Sequence, residues 1–303
     1  MTRLPGTHRT RSALLVVLVL AASVSMGGGT ASAAITPLGL GTATDFAIRA
    51  DDTVTNVPTS AITGDVGLSP ASGTFYTDAT FCDQVTGTIY SVDITATIPC
   101  EVVDPGLMTT VQNDALTAFN AGSGLSGATP LVTDLAGLNL VPGLYSFGAA
   151  ATNLSGTLTL NAQGDPDAVW IFQASSSLIT SPGSTVAFSN LPPGVTAAEL
   201  ACNVFWTVGS SATIDTTTNF IGTILASASI TVNQGATVTG RLLAGNAAGT
   251  GGAVTLIEDT IVTPTGCAVL PAGSGGVPTT PAGPPADDAP PAPPIASPPT
   301  FTG

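Results

Sequence analysis

Polar and apolar positions between Asp165 and Asp259 repeat one theme four times, in VWIFQASSSLITSPGSTVAF, VFWTVGSSATIDTTTNFIG, TILASASITVNQGATVTG and RLLAGNAAGTGGAVTLIED. The segments follow one another at roughly twenty residues, the period of a β-solenoid coil. Each holds two or three short runs rich in β-branched residues, separated by Gly, Ser, Asn or Pro. The pattern predicts a strand-dominated, all-β fold in which each unit is one turn of a parallel β-helix. A single coil cannot bury its apolar side, but stacked coils can, and they then present flat outer faces.

The same alternation appears at Ile35 to Pro70 (DFAIRA, DTVTNV, SAITGDVGLSP), which reads as a further coil, and again in LVPGLYSFGAA and TNLSGTLTLNAQGDPDAVWIFQ. Between about 74 and 103 it loosens around Cys82 and Cys100, predicting an insert that caps an open sheet end. Asp104-Pro105 then opens a helix over about 105–121, with Asp as N-cap, Pro in the first turn and a stop at Gly122. Leu107, Val111, Ala115 and Phe119 fall four apart and give it one apolar stripe, to be buried against a side of the solenoid. From 271 to 303 the chain is rich in Pro, Ala, Gly and Thr, which predicts an extended, disordered tail, with a spacer that traverses a cell wall as the alternative.

Charge narrows the functional classes. Residues 1–33 read as a signal peptide: Arg3, Arg9 and Arg11, an apolar run at Ala13 to Val24 too short to span a membrane, and a cleavage site at Ala31-Ser32-Ala33. The expected product is an exported chain of residues 34–303 with a solenoid over 34–270. It keeps all nineteen acids, with Arg49 and Arg241 as its basic side chains. Two isolated cations cannot hold a phosphate backbone, so neither nucleic acid nor an anionic membrane is an expected partner. With His8 in the leader and no lysine anywhere, histidine triads, histidine-ligated metals and lysine Schiff bases are excluded as well. No cofactor and no metal are expected.

Four cysteines in an exported chain favour disulfides. Cys82 and Cys100 bracket the insert and Cys202 and Cys267 the last coils, so these are the pairs assigned; two other pairings remain open on spacing alone. The pairs lack the C-x-x-C spacing of a zinc site. Carboxylates are then the remaining acid–base groups, Asp51, Asp52 and Asp65 or Asp165 and Asp167. Asp165-Pro166-Asp167 follows Gly164, where Asp bonds its own backbone in a turn. A carbohydrate lyase would further need a base and a cation, so the chain reads as no enzyme. Trp170 and Trp206 hold like places in WIFQ and FWTV and are assigned to stacked core. Arg49 and Arg241 are assigned to the surface or to contact with the helix.

TDFAIRA, ITGDVGLSP, NDALTAFN, LVPGLYSF, GTLTLNAQGDPDAVWIFQ, CNVFWTVGSSATI and GATVTGRLLA, in that order, resemble the microbial ice-binding proteins of the discontinuous β-solenoid type, over roughly Ile35 to Cys267. The resemblance implies a right-handed β-helix of roughly triangular section, one long helix packed alongside, and coils not stacked in sequence order. It also implies that one flat face of regularly spaced short side chains adsorbs to ice.

The repeats indicate where such a face would lie. Aligning Gly64, Gly222 and Gly240 puts Ile62, Val186, Phe220 and Val238 in one inward column. Their neighbours then point outward, giving Thr63, Thr185, Asn219, Thr237 and Thr239 as the candidate ice face. Thr216 joins them because TTTN (216–219) fits the T-x-x-T/N pattern of some family members, whereas Ala187 and Ile221 interrupt the outward column. The expected partner is an ice crystal surface, met by a secreted monomer. The competing reading is an extracellular adhesion or structural solenoid whose Thr and Asn simply suit strands and turns. Calcium could bridge its carboxylates, but no calcium-loop motif is present.

Overall fold

The structure, a computed structural model, describes residues 35–276 apart from 58, 77–79, 94–97, 149 and 247–250. The signal-peptide reading lies outside these residues, as does the tail beyond 276. Among the described residues twenty-two short strands, paired in parallel, build a solenoid with three walls. One coil runs Trp170–Ala174, Leu178–Thr180, Thr185–Ser189, contributing a strand to each wall in turn. In the next two coils the third-wall strand bends straight into the following first-wall strand, giving the long strands Asn219–Ala226 and Thr237–Leu243. The bends fall at paired Gly222 and Gly240. Gly222 has φ +117°, and a Cβ at Gly240 would lie 1.9 Å from the Gly222 carbonyl oxygen, so both corners need glycine.

Coil order departs from chain order. Strand Phe46–Ala50 pairs with Thr237–Leu243, Thr53–Asn56 with Ala253–Leu256, and Ala61–Thr63 with Thr260–Val262, so the N-terminal coil stacks on the last one. Beyond it, the disulfide-bearing segment continues the walls through Val85–Thr86, Ile89–Ser91 and Glu101–Val103. The chain must then return to the opposite end, where Thr129–Pro130 begins the remaining coils. Ten strands stand in line along the first wall; at about 4.8 Å per step they span roughly 43 Å. The helix Pro105–Ser123 makes most of this return, its 19 residues covering about 28 Å.

The helix lies on the outer side of the first wall, which explains why that wall's strands are apolar at consecutive positions. Trp170, Phe172, Trp206 and Ile224 point inward, whereas Leu144, Ile171, Phe205, Leu225 and Leu243 meet the helix. Its buried stripe is Met108, Val111, Ala115, Ala118 and Gly122. Leu107 and Phe119, assigned to the stripe by four-residue spacing, are only half-buried at its margins, because contact alternates between steps of three and four. Asp104 Oδ1 accepts from Leu107 N at 2.8 Å at the N-terminus. At the other end Gln173 Nε2 donates to the Gly122 and Leu125 carbonyls at 2.8 and 2.9 Å.

Three further expectations change. The tryptophans do not share a column: Trp170 pairs with Val204 and Phe172 with Trp206, two residues away from the alignment of WIFQ with FWTV. Phe172 and Trp206 stack with centroids 3.9 Å apart, and both tryptophans are buried. Arg49 and Arg241, assigned to the surface or to contact with the helix, are not at the surface: they are 0 % and 1 % exposed, each held by hydrogen bonds to backbone carbonyls. The described residues from Pro271 on, assigned to the tail, are bonded to the N-terminal segment: Gly39 N donates to Ser274 O at 2.7 Å and Gly276 N to Thr36 O at 2.9 Å. Backbone pairing orders this stretch, and composition does not reveal it. Both assigned disulfides are present, Cys82–Cys100 and Cys202–Cys267, with Cα atoms 5.8 and 5.3 Å apart.

Candidate functional site: the two bare walls

The second and third walls face away from the helix. Between them four successive coils turn a sharp corner through a residue of positive φ: Gly183 at 72°, Thr217 at 56°, Gly235 at 76° and Glu258 at 55°. The next residue points in and is small or polar: Ser184, Thr218, Ala236 and Asp259, followed in the stack by Ser60. These residues bond to one another along the solenoid. Thr218 Oγ1 lies 3.2 Å from Ser184 Oγ and 3.1 Å from Thr180 Oγ1. Asp259 Oδ1 accepts from Ala236 N at 3.0 Å, while its own N donates to Ser60 Oγ at 2.9 Å. Burial pushes the Asp259 carboxyl up to about 6, against the backbone N–H bonds from Ile257, Ala236 and Gly235. The corner is thereby fixed from one coil to the next, and so is the position of the residue that follows it.

That following residue opens the third wall and points outward. In register along the stack these residues are Thr157, Thr185, Asn219, Thr237, Thr260 and Ala61. Two residues further on a second outward column runs Asn139, Thr159, Ala187, then Ile221, Thr239, Val262, Thr63 and Thr86. Neighbours within a column are about 4.8 Å apart and the columns roughly 7 Å apart, a two-dimensional grid of methyl and hydroxyl groups. Neither column contains a charged side chain.

Of the six residues singled out from the sequence, Thr185, Asn219 and Thr237 are consecutive members of the first column, and Thr239 and Thr63 lie in the second. Thr216 stands apart. It sits in the corner, where its N and Oγ1 are 2.8 and 3.2 Å from Asp215 Oδ1. Ala187 and Ile221 interrupt the second column as the repeats imply, and Val262 is a third break. Missed were Thr157, Thr159, Thr260 and Thr86. The alternating Thr of GTLTL was a usable signal for the first two, but stacking Thr260 between Thr237 and Ala61 needs the coil order.

The second wall carries a column that the repeats did not single out. Its outward positions run Asn153, Ile179, Thr213, Thr231, Thr255 and Thr55. The last four are threonines in consecutive coils, each directly opposite the next. SATI, SITV, AVTL and TVTN all contain the signal, but Thr55 joins it only because the N-terminal coil stacks last.

The carboxylates weighed for chemistry hold structure. Asp51 is bonded to Arg49, Asp165 Oδ1 accepts from Asp167 N at 2.9 Å within its own turn, and Asp65 Oδ1 accepts from Thr88 N at 2.8 Å. Among the described residues no cluster of three or more His, Cys, Asp or Glu is placed to hold a metal ion.

A parallel solenoid with one wall sealed by a helix and two bare, uncharged, Thr-bearing walls defines a class of surface-presenting proteins. Residues 48–262 match the ice-binding-like family profile. An ice-binding protein from Colwellia sp. is 37 % identical over 229 residues, covering 75 % of this chain and 83 % of that protein. One from Nostoc sp. (strain HG1) is 39 % identical over 212 residues, covering 69 % and 70 %. Among solved structures, the DUF3494 domain of Shewanella frigidimarina ice-binding protein 1 superposes with a TM-score of 0.65 at 29 % identity, covering 76 % of this chain and 99 % of that one. An ice-binding protein from the Antarctic ascomycete Antarctomyces psychrotrophicus gives 0.62 at 33 % identity, again covering 76 % and 99 %. The chain belongs to the ice-binding-like family.

Proposed function

We propose that this chain is an extracellular, non-catalytic protein that adsorbs to ice through its third wall. The observation that carries the reading is the outward column Thr157, Thr185, Asn219, Thr237, Thr260, five Thr or Asn residues in five consecutive coils. Each side chain offers a hydroxyl or amide to water, and each threonine adds a methyl. The hydrogen-bonded corner beneath holds them in place, so little conformational entropy is lost on adsorption. Absence of charge from both columns matters because ionised groups would hold water in an arrangement unlike ice. The grid is complete within one copy, so a monomer suffices. Two disulfides fit an oxidising, extracellular setting.

The unbroken Thr213, Thr231, Thr255, Thr55 column favours a second reading, in which the second wall is the adsorbing one. Thermal hysteresis and inhibition of ice recrystallisation separate the two. Asn219→Tyr with Thr237→Tyr raises bulk on the third wall, and Thr231→Tyr with Thr255→Tyr does so on the second. Loss of activity in the first pair alone supports the third wall; loss in the second pair alone transfers the site. A folded wild-type chain without either activity would favour the adhesion reading, with the Pro-rich tail at the cell wall.

A further inference from the structure

Two arginines are buried on the first wall and their charges are met differently. Arg49 pairs with Asp51. Arg241 is 1 % exposed and, among the described residues, has no carboxylate within the 4.0 Å of an ion pair. Its Nε donates to Thr44 O at 2.7 Å, Nη1 to Thr223 Oγ1 at 3.3 Å and Nη2 to Cys267 Sγ at 3.3 Å. Those bonds use three of five N–H donors, one of them long and one on a weak sulfur acceptor. Burial pushes the guanidinium down to about 10, with the field of Asp45 opposing, so it stays charged at neutral pH.

Arg241 also lines a cavity of about 30 Å³, together with Leu38, Leu40, Phe205 and the Cys202–Cys267 disulfide. That volume admits one or two water-sized particles. A buried cation met only by neutral acceptors is costly unless a counter-charge reaches it. Neutral acceptors lower that cost only in part, and a space of this size suits a small anion. We propose that the cavity beside Arg241 is a binding site for one small monovalent anion of the halide class, chloride being the simplest. The anion would sit where residues 38–44, the strand carrying Arg241 and the segment after Cys267 converge. It would then act as a counter-ion staple holding those two segments over the first wall.

The test is thermal unfolding of the full chain at constant ionic strength, with sodium chloride or bromide exchanged against sodium sulfate. A halide-specific rise in the midpoint that saturates with concentration is expected, since a ligand bound only by the native state stabilises it by mass action. The uncharged, similarly shaped Arg241→Met should lose that rise. Bromide-soaked crystals of the unaltered chain should show an anomalous peak within hydrogen-bond distance of the Arg241 guanidinium, a readout that stands even if the variant fails to fold. A midpoint that follows ionic strength alone, a halide response retained in folded Arg241→Met, or a bromide-soaked crystal with water only at that place would each overturn the assignment.

Discussion

One strand, Asn219–Ala226, serves both kinds of wall and shows how they differ. Its first residues lie on the third wall, where Asn219 is exposed and Ile221 half-buried; beyond Gly222, Thr223 to Ala226 lie on the first wall and are all buried. Backbone pairing is the same parallel ladder throughout. What changes is the outer cover: helix Pro105–Ser123 and the terminal segments lie over the first wall, and the third is bare. The first wall is therefore packed on two sides and holds most of the aromatic core. The bare walls contribute one packed side and leave the other free to meet a partner. Stability is concentrated where the helix lies, and recognition is available only where it does not.

Substitutions should separate these roles, with the largest effects on the covered wall. Trp206→Ala removes the ring that stacks on Phe172 and contacts Phe220 at 5.2 Å, and should cost about 3–5 kcal/mol in urea unfolding. Ice activity would then fall only in step with the folded fraction. If instead activity vanished while stability held, the division between walls would be wrong. Replacing Cys202 and Cys267 together by Ser should cost about 2–5 kcal/mol. This disulfide ties the turn before the first-wall strand Val204–Val208 to the segment following the last third-wall strand, so the threonine grid should keep its activity below the lowered melting point.

Proton linkage gives a smaller effect with a defined sign. Burial raises both Asp51 and Asp259 to about 6 in the folded chain, above the roughly 4 of an unfolded aspartate. The folded state then binds more protons between those values, so stability should rise as pH falls from 7 through 6 and level off near 4. Below that, Asp134, Glu199 and Asp215, whose carboxyls are lowered chiefly by hydrogen bonds, work in the opposite direction. A melting temperature followed from pH 8 to 3 should pass through a maximum near pH 4–5. A monotonic fall from pH 7 would mean that these two carboxylates ionise in the fold without penalty.

The smallest stability change belongs to the bare walls. Asn219→Tyr and Thr237→Tyr should each shift unfolding by no more than about 0.5 kcal/mol, as surface substitutions do. Those same variants should abolish hysteresis if the third wall adsorbs to ice. Such an inversion, with large activity loss at negligible stability cost, is the sharpest contrast with Trp206→Ala.

Local pattern made much of this legible. The inward column Ile62, Val186, Phe220, Val238 could be read from glycine punctuation and alternation, because a strand's period of two is a local property. The helix start was equally clear from Asp104-Pro105, since capping involves only adjacent residues. The helix's buried stripe was harder to place, because Met108 and Ala118 displace Leu107 and Phe119 only once the first wall's shape is known. Thr216 was misplaced because its motif crosses a corner, where period-two reasoning stops. The buried state of Arg241 had no local signal, for Thr44 and Cys267 come to it from opposite ends of the chain.

By itself the sequence determined the coils, their inward faces, the helix and the near absence of Lys, Glu and Arg from the repeats, all legible within about twenty residues. Only the tertiary structure decided that the N-terminal coil stacks on the last one, which brings Thr55 opposite Thr255 and Ala61 opposite Thr260. Coils are nearly interchangeable as local units, so their order is set by which edges remain unpaired and by the length of the helix that returns the chain. The two bare walls, and any surface they offer to ice, exist at full length only after that choice has been made.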